Sequence, residues 1–88
     1  AGVAYLSDGN QYTPPTGQVV IAIQFTEETA FDSGGGTTAE SLWPTYGQAG
    51  PGTGSDAIAG DTMPAGLTIY GRWNKVQFDS GAAFLYLG

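Results

Sequence analysis

Residues 18–27 read QVVIAIQFTE, in which Val19, Ile21, Ile23 and Phe25 alternate with Gln18, Val20, Ala22, Gln24 and Thr26. A period of two predicts a β-strand with one strongly apolar face. The strand is entered through YTPPTG at 12–17, where the proline pair holds the chain extended and Gly17 releases it. Glu27, Glu28 and Thr29 read as a turn and 29–32 as a short returning strand, so a first hairpin is expected. The last third is strand-like again. Residues 67–73 alternate, 76–78 resume after Asn74 and Lys75, and 82–87 (AAFLYL) are apolar on both sides. A run with neither face polar predicts a strand buried on two sides. Pro64, Ala65 and Gly66 form the turn that feeds this unit, and Asp79, Ser80 and Gly81 separate its last two runs at hairpin length.

Between these halves the pattern disappears. Residues 34–66 hold 9 glycines and 3 prolines but only Leu42 and Ile58 from the Leu/Ile/Val/Phe set, so a long loop or arm is expected there. Within it, 38–43 have the composition of one helical turn ahead of Pro44. Trp43 and Tyr46 are its apolar anchors. One internal echo exists: FDSG occurs at 31–34 and again at 78–81. It reads as shared turn chemistry, with Asp and Ser bonding their own backbone and Gly accepting positive φ.

Composition sharpens this picture. The 88 residues include 15 Gly and 5 Pro, which disfavours long helices, and 11 aromatics, which allow a small core if they cluster. A chain of this length buries roughly 63% of its extended surface on folding, the marginal end of the range, so a single β domain over 1–88 that gains stability from assembly is expected. There is no Cys and no His, which excludes disulfides, thiol nucleophiles, Ser-His-Asp triads and zinc or haem ligation through those side chains. The net charge of −6, with Arg72 and Lys75 as the only cations, argues against nucleic acid and anionic membranes as partners. The Ala at position 1 is consistent with initiator removal on a protein made in a cytosol, with signal cleavage ahead of this sequence as the alternative.

Carboxylates are the remaining candidates for chemistry. Asp56 and Asp61 flank a Gly-rich loop, but a hydrolase needs two carboxyls fixed across a cleft that so small a scaffold does not build. No catalytic residue and no enzyme activity are expected. Asp8-Gly9-Asn10, Asp32-Ser33-Gly34 and the Asp56/Asp61 pair supply oxygen ligands of the kind calcium takes, yet none follows an EF-hand or RTX pattern, so no metal site or cofactor is assigned. Aromatic stacking on sugars would fall to Trp43, Tyr46 or Trp73. However, Trp73 itself, with Tyr70, Phe78, Phe84 and Tyr86, lies in a strand run, where burial is expected, which leaves Trp43 and Tyr46 as the less easily dismissed candidates. Charge is unevenly spread. Residues 1–71 carry seven acidic side chains and no cation, whereas Arg72 and Lys75 stand within four residues of each other, an arrangement suited to a head-to-tail contact between copies.

Two stretches, YTPPTGQVVIAIQF with its TAFDS continuation and PAGLTIYGRWNKVQFDSGAAFLYLG, are similar to a group of small proteins of tailed bacteriophages, particularly marine ones. Those proteins pair a TPPTG-VVIAI strand with a P-G-TIYGRW strand and end in an SG…AYLG-like segment. The resemblance covers about two thirds of the chain, 12–32 and 64–88, and leaves out the middle. It implies a virion structural protein, made in the host cytoplasm, that decorates or cements the outer surface of the phage head. It further implies the major capsid protein as partner and a homotrimer as the assembled form, and it brings no catalytic residues.

The fold expected is all-β, a small sandwich or barrel-like antiparallel sheet of about five to seven strands with the 34–66 loop between its halves. The contact residues expected are Tyr12, Pro14 and Pro15 on an extended arm, Leu42, Trp43 and Tyr46 as apolar anchors, and Arg72 with Lys75 as charged partners. A fibre-borne module binding glycans or a receptor is the alternative reading.

Overall fold

In a computed structural model, which describes residues 2–39 and 58–88, the protein is built entirely of strands. They are β1 (Gly2–Leu6), β2 (Val20–Phe25), β3 (Thr29–Phe31), β4 (Thr38–Ala39), β5 (Thr62–Met63), β6 (Thr68–Lys75), β7 (Phe78–Ser80) and β8 (Ala83–Leu87). They form two antiparallel sheets, a larger one in the order β1-β8-β2-β6-β4 and a smaller one in the order β5-β3-β7. The all-β expectation and the two strand-rich parts are therefore present. The described ends of the 34–66 stretch are not structureless: β4 extends the large sheet beside β6, β5 pairs with β3, and Ile58 is buried in the core. The helical turn expected over 38–43 begins instead as β4, and the rest of it lies outside the described residues.

Neither expected hairpin forms. After β2 the chain leaves the large sheet, and β3 pairs with β5 and β7 rather than returning along β2. Likewise β7 belongs to the small sheet, whereas β8 runs between β1 and β2 in the large one. Both acidic and Gly-rich turns thus carry the chain around a corner between layers. The corner is fixed by Thr29, which is fully buried. Its hydroxyl donates to the Glu27 carbonyl (2.9 Å) and accepts from the Ala82 amide (3.2 Å), so a side chain completes the bonding where no ladder can. Gly81 makes the matching turn at φ 100°, and a Cβ there would lie 2.3 Å from Thr29 Oγ1 and 2.5 Å from its Cα. Only glycine fits both demands.

The core lies between the sheets. Phe25 from the large sheet meets Phe31 and Phe78 from the small one, with ring centroids 5.9 and 6.1 Å away, and Phe31 and Phe78 stand 5.6 Å apart at 70°. The two FDSG copies are therefore brought side by side: Phe31 pairs with Phe78, and the Ser33 amide donates to the Asp79 carboxylate at 3.1 Å. Around the three rings pack Leu6, Val20, Ile23, Trp73, Val76, Leu85 and Leu87. Trp73 folds back over Gly71, whose missing side chain leaves room that a Cβ would close to 2.7 Å.

One departure lies inside β2. The expected apolar face of Val19, Ile21, Ile23 and Phe25 holds only for the last two. A register shift between Val20 and Ala22 inserts an extra residue relative to β8, so Val20 is fully buried while Ile21 is 37% exposed. A bulge inverts the alternation on one side of itself.

Two outcomes follow from this packing. Phe31→Ala is expected to lose about 3–5 kcal/mol in urea unfolding followed by far-UV circular dichroism, most of what a domain of this size has. Thr29→Val, which keeps the volume but strands the Ala82 amide, is expected to cost about 1–3 kcal/mol in the same measurement; a neutral result would show that the corner does not depend on that hydroxyl.

Candidate functional site: an open aromatic sheet face

The small sheet covers only one side of the large one. On β8, Ala83, Leu85 and Leu87 point into the core, and Phe84 and Tyr86 are left 38% and 37% exposed on the other side. AAFLYL is thus buried on one face, not two, which corrects the expectation from its composition. The same applies to Tyr70, at 79% exposure the most open large hydrophobic side chain among the described residues.

Antiparallel register aligns these residues into two rows across the sheet. Val3 pairs with Tyr86, Tyr86 with Ala22, and Ala22 with Tyr70; next to them Tyr5 pairs with Phe84, Phe84 with Gln24, and Gln24 with Thr68. Tyr5 and Phe84 touch, with ring centroids 4.9 Å apart. The Tyr86 hydroxyl donates to Gln24 Oε1 at 2.8 Å. Since Ala22 is small and stands between two tyrosines, a hollow of about 360 Å³ opens there, lined by Ala22, Gln24, Thr68, Tyr70 and Tyr86.

Electrostatics separate this face from the rest. The five strands of the large sheet contain no Asp or Glu and carry both cations, Arg72 and Lys75, on β6. The described carboxylates sit in loops, turns and the small sheet: Asp8, Glu27, Glu28, Asp32, Asp61 and Asp79. Three of them hold backbone amides. Asp8 Oδ1 accepts from Asn10 at 3.0 Å and Asp32 Oδ2 from Gly36 at 2.9 Å within their own turns, which gives the first two calcium-like triplets a turn-forming task, and Asp79 accepts from Ser33 across the small sheet. Asp56, the partner suggested for Asp61, lies outside the described residues.

The expected contact residues are dispersed. Tyr12 is half-buried against the core and bridges Val76 through its backbone (2.8 and 3.1 Å), and Pro14 is buried while Pro15 is exposed. Segment 12–17 therefore begins laid along the body instead of projecting from it. Its bridge to Val76 brings it to the end of β6 next to Lys75. Arg72 and Lys75 are both exposed, with Trp73 buried between them. Leu42, Trp43 and Tyr46 lie outside the described residues. Trp73 is 1% exposed and cannot serve as a sugar platform.

Aromatics in strand runs read as core by class, which hides the open face. Residue type separates them in part. Phe25, Phe31 and Phe78 are buried, whereas Tyr5, Tyr70 and Tyr86 are exposed, each tyrosine keeping its hydroxyl satisfied by water or a partner; Phe84, on the open face, is the exception. No protein-family model, curated protein or solved structure matches this chain.

The assignment of faces is tested by stability. Tyr70→Ser is expected to change unfolding free energy by less than about 0.5 kcal/mol, and Trp73→Ala, two pleats along the other phase of β6, to cost about 3–5 kcal/mol. Comparable losses from both would mean that Tyr70 is packed.

Proposed function

We propose that this chain is a structural binding protein of a phage virion, one that decorates the outer surface of the head, bridges neighbouring capsomers and carries no catalysis. The observation that carries the reading is the open aromatic face on an otherwise acidic domain. Using about 150–250 Å² per aromatic side chain, the exposed parts of Tyr5, Tyr70, Phe84 and Tyr86 together with Val3 come to on the order of 500 Å². That is the upper end of what a monomer leaves uncovered and typical of a surface with a partner. The partner we assign, the major capsid protein, is the one implied by the resemblance of 12–32 and 64–88 to small proteins of tailed phages.

Docking is assigned to the β1 side of the sheet, where Val3, Tyr5 and Phe84 form a continuous apolar strip. β1 is an edge strand whose five residues include no Pro and no charge, so its unpaired backbone groups add hydrogen-bonding capacity to the same side. Charge supports assembly as well. With both cations on the large sheet and carboxylates elsewhere, copies attract head to tail and repel carboxylate side to carboxylate side, the condition for a closed ring such as a trimer.

A reconstruction of virions that carry this chain is expected to place it on the head shell at a site of local symmetry; its absence from the shell would end the decoration reading. In a binding assay with shells lacking the protein, Val3→Asp combined with Phe84→Asp is expected to weaken attachment about 100-fold while circular dichroism is unchanged.

A further inference from the structure

We infer that the hollow between Tyr70 and Tyr86 is a binding site for a neutral saccharide. It borders the strip assigned to docking along β1 and Phe84, with Tyr86, the cross-strand partner of Val3, at the boundary, and opens over β2 and β6; the inference does not rest on the virion reading. Three observations select the ligand class.

The first is shape. Tyr70 and Tyr86 both pair with Ala22, one from each side, so their backbones stand two strand spacings apart, about 10 Å. The methyl of Ala22 forms the floor of a slot with an aromatic ring at either wall. Its 360 Å³ lies at the lower end of small-molecule sites, the size of one or two sugar rings.

The second is the polar chemistry. The Tyr86 hydroxyl occupies Gln24 Oε1 and so leaves the Gln24 NH₂ as a donor at the hollow, next to the Thr68 hydroxyl. An apolar knob from a protein partner would cover both groups without satisfying either. A pyranose meets both requirements at once, stacking its C–H face on a tyrosine and exchanging hydrogen bonds with the amide and the hydroxyl.

The third is charge. None of the five lining residues carries a charge, so a phosphate or a carboxylate would gain no ion pair from them in return for its desolvation. A neutral sugar has no such penalty.

The test is a titration of isotope-labelled protein with glucose, galactose, N-acetylglucosamine, lactose and maltose, followed by amide chemical shifts. At least one of them is expected to shift the amides of β2 and β6 around Ala22, Gln24 and Tyr70 saturably. Tyr70→Ala is expected to weaken that binding about tenfold or more, Tyr86→Phe to weaken it severalfold by freeing the Gln24 oxygen, and Ala22→Met to abolish it by filling the slot. Because Tyr70 is mostly exposed, its variant reports even if Ala22→Met fails to fold. No saturable shift with any of the five sugars, or shifts unaltered in Tyr70→Ala, would overturn the inference. Neither result bears on capsid attachment, which Val3 and Phe84 test separately.

Discussion

Contact among three phenylalanine rings, Phe25, Phe31 and Phe78, joins the two sheets at the centre of the core. Full burial of such side chains stabilises by about 1.5–3 kcal/mol each, and edge-on geometry adds to it, so the trio is a large share of what an 88-residue chain can muster. Everything else in the fold serves this meeting. Thr29 and Gly81 turn the chain out of one layer into the other, Thr37 and Gln77 exchange backbone-to-hydroxyl bonds at the far end, and the bulge in β2 brings Val20 under Trp73 and Leu87.

From the same constraint comes the exposed face. A three-stranded sheet of short strands can cover one side of a five-stranded sheet and no more. Among the described residues no third layer is built, so the outward positions of β1, β8 and β6 are left to solvent or to a partner. That those positions hold Val3, Tyr5, Phe84, Tyr86 and Tyr70, and no carboxylate, is a property of the sequence and not of the fold. A lysine or glutamate at any of them would pack equally well.

How much of this could be read in advance differs by level. The strand positions were legible, because a period of two in 18–27 and 67–73 and the apolar run at 82–87 are local signals. Partner choice was not. Glu27-Glu28 and Asp79-Ser80-Gly81 have hairpin spacing, yet each is overruled by Thr29 and Gly81 locking against one another across more than fifty residues. Nor was the orientation of β2: Ile21 continues the alternation in sequence, and only the bulge next to it exposes it. At the site, the length of the apolar run in AAFLYL masked its phase, and the clue that separates phenylalanine from tyrosine becomes visible only once the strands are paired. The hollow had no local signal at all, since it requires Ala22 on β2 to stand between tyrosines contributed by β6 and β8.

The strand order also carries a temporal consequence. Among the described strands β8, made after all the others, lies between β1 and β2 and supplies backbone partners to both. During synthesis β1 has nothing to pair with, and β2 lacks one of its two neighbours, until residues 83–87 have emerged. The β1 side of the large sheet is therefore completed only by pairing residues 2–6 and 20–25 with 83–87, the slow kind of closure set by long sequence separation. Until then β1 and one edge of β2 keep their backbone groups unpaired, a template for pairing with another chain.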